Sequence, residues 1–419
     1  MATCLTRRVL ARYFQRRPLR RYTTDAAHLE PKRGDRVVVG MSGGVDSSVA
    51  AKLLADRDYD LSAVFMRNWD TRDESGTDKG CEWEKDWEDV QRVCKVLGIP
   101  CEMIDLSQEY WNRVFEPSLH QWEDGVTPNP DVLCNKEIKF GALLERLPIF
   151  SSTSSTTWFA TGHYARKHWA LLSPSSSHRI STPRARLLRA ADRTKDQTYF
   201  LASISEQGLS RALFPLGDLT KPQVRELAKK FRLPTAERKE SMGVCFIGEK
   251  AKFSNFISAY IPPNPGPIVD ISTGETVATH EGIWTYTIGQ GAKIRGMSDR
   301  TFVVKKDTTL NTIFIAHGPN HPLLYCRSFS VQDFAWIWAD SPPVGLDSES
   351  GYHARLKIRH RMEPVACTVH RVNAERGELV VKFDEPEKGV APGQVAVLYD
   401  PEGDWVLGCG TIADTRHHG

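Results

Sequence analysis

No uninterrupted apolar stretch in these 419 residues approaches the roughly 18 to 20 needed to cross a bilayer, which excludes a membrane-spanning helix. The nine cysteines form no C-x-x-C pair, and no Cys/His cluster has zinc spacing, so no metal site is expected. Their odd number argues against a structural disulfide framework. Cys94, Cys101, Cys326, Cys367 and Cys409 read as small core or surface residues. No internal repeat is present. Two phosphate-binding signatures are also missing. Without G-x-x-x-x-G-K-[ST] a P-loop NTPase is disfavoured, and without G-x-G-x-x-G so is a dinucleotide fold.

Acids and lysine are absent from the first 24 positions, where seven arginines stand instead: Arg7, Arg8, Arg12, Arg16, Arg17, Arg20 and Arg21. Leu5, Val9 and Tyr13 fall on one helical stripe among them, and no apolar run follows. That pattern fits a mitochondrial transit peptide, hence a matrix location, and disfavours a secretory signal. A disordered basic tail that could touch RNA is the other reading. The formal charge of +3 therefore misleads: the remaining 48 basic residues face 52 acidic ones, a net of −4. Any nucleic-acid surface must be a local patch.

The length allows two or three domains with sizeable cores. From residue 35 to about 165 strands and helices alternate. Strands are predicted at Arg36–Met41, Leu61–Met66, Cys101–Ile104 and Trp158–Thr161, and helices at 46–57, 83–97, 107–122 and 135–146. Such alternation implies a mostly parallel sheet with ligands at the strand C-termini. The stretches 71–80, 151–157 and 173–177 read as solvated loops. Thr220-Lys221-Pro222 signals a helix start, with the helix at 223–231. After Pro262-Pro263-Asn264-Pro265-Gly266-Pro267 the texture becomes short alternating segments (301–305, 312–316, 353–358 and 379–383), which argues for antiparallel strands and a small barrel in the last hundred residues. The expected division is a leader at 1–30, a nucleotide-binding catalytic domain at 31–215, a small central linker domain at 216–275 and a β-rich domain at 276–419. The fold class is α/β.

Val37-Val38-Val39-Gly40-Met41-Ser42-Gly43-Gly44-Val45-Asp46-Ser47-Ser48 reads as a buried strand turning through glycines into a helix. Glycines let the backbone approach a phosphate, and the N–H groups of the loop and helix face it. The pattern Ser-Gly-Gly-x-Asp-Ser-Ser resembles the pyrophosphate loop of the ATP pyrophosphatase class, whose members adenylate a substrate and release pyrophosphate. ATP is thus the expected cofactor, with Mg2+, and the expected contacts are Gly40, Met41, Ser42, Gly43, Gly44, Val45, Asp46 and Ser47. Asp46 either helps hold magnesium or orients the loop. Met66, ending the second strand, and Gly162 lie where the adenosine end should rest.

Two cysteines stand in distinctive settings: Cys134 in Thr127-Pro128-Asn129-Pro130-Asp131-Val132-Leu133-Cys134-Asn135, and Cys245 in Ser241-Met242-Gly243-Val244-Cys245-Phe246-Ile247-Gly248. Sulfur delivery near neutral pH calls for a soft thiolate or persulfide nucleophile rather than serine. Breaking a persulfide S–S bond calls for a reductant or a second thiol.

The loop, Phe65-Met66-Arg67-Asn68-Trp69, Asn129–Asn135, Ala160-Thr161-Gly162-His163-Tyr164, Lys195-Asp196-Gln197-Thr198-Tyr199-Phe200 and Val244–Gly248 occur in the order found in tRNA-specific 2-thiouridylases. From about residue 35 to the C-terminus the chain resembles a mitochondrial member of that family. The resemblance implies an N-terminal domain of the adenine nucleotide alpha-hydrolase type. It also implies thiolation at C2 of the wobble uridine in the anticodon loop of mitochondrial tRNAs, after ATP adenylates the uracil O2. Cys245 would carry a persulfide delivered by a cysteine desulfurase relay. Cys134 would be the second catalytic thiol, attacking an intermediate or resolving the persulfide as a Cys134–Cys245 disulfide forms. Reaching C2 requires the base to leave its stack, and Asn129, Pro130 and Asp131 would meet its edge.

His163, Lys195, Asp196 and Gln197 carry over as tRNA contacts. Arg359, His360 and Arg361, within Lys357-Ile358-Arg359-His360-Arg361 and read as one basic strand, would join Gln394 in gripping tRNA. A monomer is expected. Three departures from the family pattern bear on local contacts: Met242 where threonine is usual, His360 where tyrosine is common, and no arginine after Gln290. Two other readings are an amide ligase or amidotransferase on the same loop, and a non-enzymatic tRNA-binding protein. The first lacks a glutaminase domain or amine site, and the retained Asp46, Cys134 and Cys245 speak against the second.

Overall fold

The computed structural model describes residues 29–69, 82–147, 157–171, 183–239, 253–297 and 299–417. The leader, the loop-like stretches at 71–80 and 173–177, most of 151–157, Met242 and Cys245 lie outside them.

Three sheets organise the chain. The first is wholly parallel, in the order β3-β2-β1-β4-β7: Cys101–Asp105, Asp60–Arg67, Arg36–Met41, Thr157–Thr161 and Ala212–Leu213. Val37, Val38 and Val39 are all buried, as an unalternating apolar run at the centre of a parallel sheet must be. One face is covered by helix Glu82–Leu97 through Val90, Val93 and Cys94. The chain runs from β1 outward through β2 to β3, then returns to β4 on the other side of β1. That reversal opens a crevice at the C-terminal ends of β1 and β4, where such sheets hold ligands.

Helix Lys221–Lys230 belongs to this first unit rather than to a separate linker domain. Its Val224, Leu227 and Ala228 pack on Val45, Val49 and Leu53 of helix Val45–Ala55. The central unit is the sheet β10-β11-β8-β9, formed by Thr301–Asp307, Thr312–His317, Gly266–Asp270 and Thr276–His280. The expected boundary at 275/276 falls inside its β8–β9 hairpin.

The C-terminal barrel is there and closed. Tyr325–Trp336 (β12), Glu378–Lys388 (β15), Val365–Asn373 (β14), Tyr352–Lys357 (β13), Val395–Tyr399 (β16) and Trp405–His417 (β17) form six strands, and β17 pairs back onto β12. Closure removes the edges that an open antiparallel sheet would expose. A hairpin that the serine-rich patch hid in the sequence, Ala165–Leu171 (β5) with Pro183–Arg189 (β6), leaves the first unit and pairs with β17 at Leu187 and Leu188. The Arg186 guanidinium lies 4.0 Å over Trp405 and 5.2 Å over Trp338, joining hairpin to barrel by cation–π contact.

The expected basic strand 357–361 is corrected. β13 ends at Lys357, which is buried, and Arg359, His360 and Arg361 sit in the turn beyond it.

Candidate functional site

The loop after β1 is shaped first by its own residues. Ser42 N–H donates to Ser47 Oγ at 3.2 Å, and the Ser47 and Ser48 hydroxyls donate to Gly44 O at 3.2 and 2.7 Å. Gly43 has φ of +72°, and a Cβ there would stand 2.9 Å from Asp86 Cα. Gly162 is equally confined, since its Cβ would lie 2.8 Å from Ser47 N. Gly40 faces the Phe159 ring, and Met41 and Val45 are buried. Gly44 is the N-cap of the eleven-residue helix Val45–Ala55, and no side chain caps that end. An uncapped helix N-terminus behind a glycine turn at the sheet's reversal point suits a phosphate group.

Asp46 does not face outward as a spare carboxylate. Lys221 Nζ donates to both of its oxygens, at 2.9 and 2.7 Å, and Tyr164 Oη donates at 2.9 Å. Tyr164 is held in turn by Gln197, whose Oε1 accepts from Tyr164 N at 3.0 Å. The backbone N–H of Lys221 donates to Asp192. Below the loop, Arg238 donates to Gly43 O at 2.9 Å and pairs with Asp86 and Asp89. Asp46 is thus tied to a helix and a strand end outside its own loop. No group of three His, Cys, Asp or Glu side chains among the described residues could hold a metal ion.

Sequence reasoning missed Lys221, Tyr164 and Arg238. Lys221 and Tyr164 lay inside quoted segments, but nothing in the sequence tied them to Asp46. Met66 is the penultimate residue of β2, which ends at Arg67; it lies opposite Ile104 and packs against the aromatic core.

The second cluster begins at Asn129. Its Oδ1 caps the helix Pro130–Leu133 by accepting from Val132 N at 3.3 Å, and Pro130 supplies the φ a first helical residue needs. The chain continues through a π-helical stretch, Cys134–Ala142, a wide turn that often marks a functional site. Cys134 is 5% exposed and packs in the core containing Ile138 and Phe159. Asp131 precedes it by three residues and so shares its helical face. Burial raises the Asp131 pKa, opposed by the Lys139 ammonium. His163, hydrogen-bonded through Nδ1 to Thr161 Oγ1 at 2.8 Å, has its pKa held well below 6.5 by burial and by Lys139. Neighbouring Asn135 donates Nδ2 to Asp131 O, while its buried Oδ1 has no partner among the described residues. The Lys139 charge acts on both Asp131 and His163, and Phe159 packs with Cys134 and Ile138 on one side while its ring faces Gly40 on the other. The thiol segment and the glycine loop meet.

The remaining expected contacts divide. Lys195 is half-buried at the turn, its N–H on Asp192 O. Asp196 is 2% exposed. It accepts from Arg189, Ala190 N and Thr198, with Lys357 Nζ 3.6 Å away, and so has no face for RNA. Gln197 braces Tyr164. Arg359 pairs with Glu387 at 2.8 Å, Arg361 is exposed, and the His360 ring stacks 4.4 Å from Phe200. Gln394 reaches the segment before Cys134 rather than solvent.

Three family models match in tandem: "tRNA methyl transferase HUP domain" over residues 35–249, "tRNA methyl transferase PRC-barrel domain" over 254–317 and "Aminomethyltransferase beta-barrel domain" over 326–412. Their limits follow the three sheets except at the hairpin β5–β6, which lies within the first match and pairs with the third sheet. The tRNA-specific 2-thiouridylase MnmA of Levilactobacillus brevis is 42% identical over 382 residues, covering 90% of this chain and 95% of that protein. The proteins of the same name from Bacillus pumilus and Bacillus subtilis are each 42% identical over 386 residues, covering 92% of this chain and 96% of theirs. With identity at that level along nearly the whole of both chains, the protein belongs to the tRNA-specific 2-thiouridylase family.

Proposed function

We propose that the protein is a tRNA sulfurtransferase that replaces O2 of the wobble uridine by sulfur, using ATP and a cysteine persulfide, in the mitochondrial matrix. The observation that supports this most is the meeting of two clusters. The strand and glycine turn leading to the uncapped helix adjoin, through Phe159 packed against Gly40 on one side and with Cys134 and Ile138 on the other, the segment carrying Asp131 and Cys134.

ATP, bound at the glycine loop, supplies adenylation of O2, which makes a poor leaving group into AMP. Around it, Lys221 and Tyr164 hold Asp46 and thereby the first turn of the helix. Neutral His163 offers a ring nitrogen without adding a cation. Asn129 and Asp131 stand on the segment leading to Cys134, which a flipped-out uracil edge would meet. Asp131, with its raised pKa, suits a group that holds or takes a proton. The terminal sulfur of a persulfide on Cys245 forms the new C–S bond as the C2–O bond to AMP breaks. The Cys134 thiolate then takes the inner sulfur, the persulfide S–S bond breaks, and a Cys134–Cys245 disulfide remains for an external reductant. The role of Cys245 rests on the family resemblance. A cysteine desulfurase relay as donor, a monomeric state and an Arg-rich targeting leader complete the reading.

The test is Cys134→Ser, assayed by mass spectrometry of wobble uridines beside ATP affinity. Thiolation should vanish while ATP binding survives. Thiolation at wild-type levels, or loss of ATP binding with the thiol, would make Cys134 a structural residue and overturn the mechanism.

A further inference from the structure

We infer that Arg238 is a positioning residue for the nucleotide loop, locking the Gly43–Gly44 peptide so that the Gly44 N–H faces the phosphates. Its guanidinium donates from Nη1 to Gly43 O at 2.9 Å. In a planar trans peptide the carbonyl and the N–H point to opposite sides, and the described residues contain no cis peptide. Holding Gly43 O on the side of Arg238 therefore turns Gly44 N–H away from it. Among the described residues nothing accepts from that N–H, and it stands at the uncapped start of helix Val45–Ala55. The lock is needed because of what flanks the bond. A peptide between two glycines has no Cβ on either side to oppose its rotation, and glycine takes positive and negative φ about equally. The same bareness lets the lock come close: a Cβ on Gly43 would stand 2.9 Å from Arg238 Nη1 and 2.7 Å from Asp86 O.

The guanidinium is itself held on both terminal nitrogens. Nη1 also donates to Asp89 and Nη2 to Asp86, carboxylates three residues apart on one face of helix Glu82–Leu97. Two acids neutralise its charge and take its forked donors, so Arg238 acts as an anchor to that helix and not as a grip on phosphate. The chain at Arg238 is fixed as well, since Arg225 Nη1 donates to Arg238 O at 2.6 Å and to Ala236 O at 3.3 Å. Arg225 lies on helix Lys221–Lys230, whose first residue holds Asp46. One helix and the turn after it thus hold the loop at two points, Gly43 and Asp46. This inference rests on the ATP reading of the loop and deepens it. A donor fixed in advance toward the phosphates needs no reorganisation when charge develops on the leaving pyrophosphate.

The test compares Arg238→Met, which keeps the length and loses every donor, with Arg238→Lys, which keeps the charge and can still donate to Gly43 O. Four readouts are taken on the full chain beside thermal unfolding: ATP affinity, AMP affinity, tRNA-dependent exchange of pyrophosphate into ATP, and amide hydrogen exchange of residues 41–47 without nucleotide. Arg238→Met should bind ATP about 10-fold more weakly, the scale of one hydrogen bond to a charged group, and exchange pyrophosphate about 100-fold more slowly. Its loop amides should exchange faster. AMP affinity should stay near wild type, because AMP has no β- or γ-phosphate to meet the turn. Arg238→Lys should lie between wild type and Arg238→Met on every readout that moves. If Arg238→Met alone unfolds, the lysine variant decides, by whether its ATP affinity falls further than its AMP affinity. Three outcomes overturn the inference: ATP and AMP weakened alike, wild-type ATP affinity and exchange in Arg238→Met, or unfolding of both variants. If wild type bound no ATP but Arg238→Met still loosened the loop, the lock would stand and the nucleotide reading would fall.

Discussion

The two ends of the site are built on different principles. The glycine loop is shaped by hydrogen bonds between residues three to five apart, Ser42 with Ser47 and Ser47 or Ser48 with Gly44. Its distant supports, Lys221, Tyr164 and Arg238, all come from the parallel-sheet unit. The thiol segment is held from outside, with Thr127 and Asn129 bonded to residues 160 and 265 positions away in the central unit and the barrel. A nucleotide end made in this way works from one unit alone. A thiol end made in this way needs all three units assembled.

The sharpest way to break this contrast is at the one place where the ends share a support. Gln197 braces the nucleotide end through Tyr164, and its neighbour Asp196 joins the hairpin strand β6 to the barrel through Arg189 and Lys357. Asp196 is buried and its carboxylate is surrounded by donors, so Asp196→Ala strips the buried Lys357 of its counter-charge and leaves Arg189 with Glu363 alone. Removing one partner of a buried pair costs about 3–5 kcal/mol, and urea unfolding should report a loss of that size. A loss below about 1 kcal/mol, the scale of a solvated surface pair, would mean the two ends have no common support.

Lys221→Ala tests the nucleotide end by itself. Lys221 is 12% exposed at its side chain and donates to both oxygens of Asp46, so its loss frees the first turn of the helix from one of its two holds. Taking away a preorganised electrostatic contact of this kind costs about 10²-fold, or roughly 2.7 kcal/mol. Adenylation, followed by pyrophosphate release, should fall by that factor. Alkylation of Cys134 without nucleotide should stay at the wild-type rate. If it rose, the thiol end would lean on the loop, and the separation of the two ends would be wrong.

How much of this could be read in the chain obeys the same division. The strand Val37–Met41 and its loop were legible because a central parallel strand is a continuous apolar run and a phosphate turn is a continuous run of small residues. Both signals are local. The barrel announced itself by period-two segments between turns. The hairpin β5–β6 did not, because Arg184, Arg186 and Arg189 look like solvent-facing charges until Trp338, Trp405 and Asp196 arrive from elsewhere to receive them. Lys357 misled for that reason, reading as a basic strand residue when it is a buried ion-pair partner. Lys221 was visible only as a helix start, its carboxylate being 175 residues away. Gln394 looked like one more polar residue after a glycine, since its partners lie more than 260 positions upstream.

The smallest expected effect concerns the junction between the first unit and the barrel. His360 stacks on Phe200 and lies 6.4 Å from the Tyr199 ring, and its buried Nδ1 has no partner among the described residues. Burial, then the nearby Lys357, lowers its pKa from 6.5 to about 4. Arg361 and Lys195 act in the same direction, and Asp196 opposes them only in part. The unfolded chain, with an ordinary imidazole, binds a proton near pH 6.5, whereas the folded protein refuses it until about pH 4. Between those values the unfolded state holds more protons, so stability rises with pH across the window. The contribution is complete above 6.5 and is lost progressively on going down to 4. A shift of that size corresponds to about 3 kcal/mol at most, and partial exposure of the ring brings the expectation to about 1–2 kcal/mol. His360→Phe keeps the stacking and removes the titration. Urea midpoints of wild type and variant should therefore agree near pH 7.5 and separate below pH 6, with the variant the more stable. Parallel curves through the whole window would mean that the ring takes up its proton in the folded protein, and that this junction is open to water.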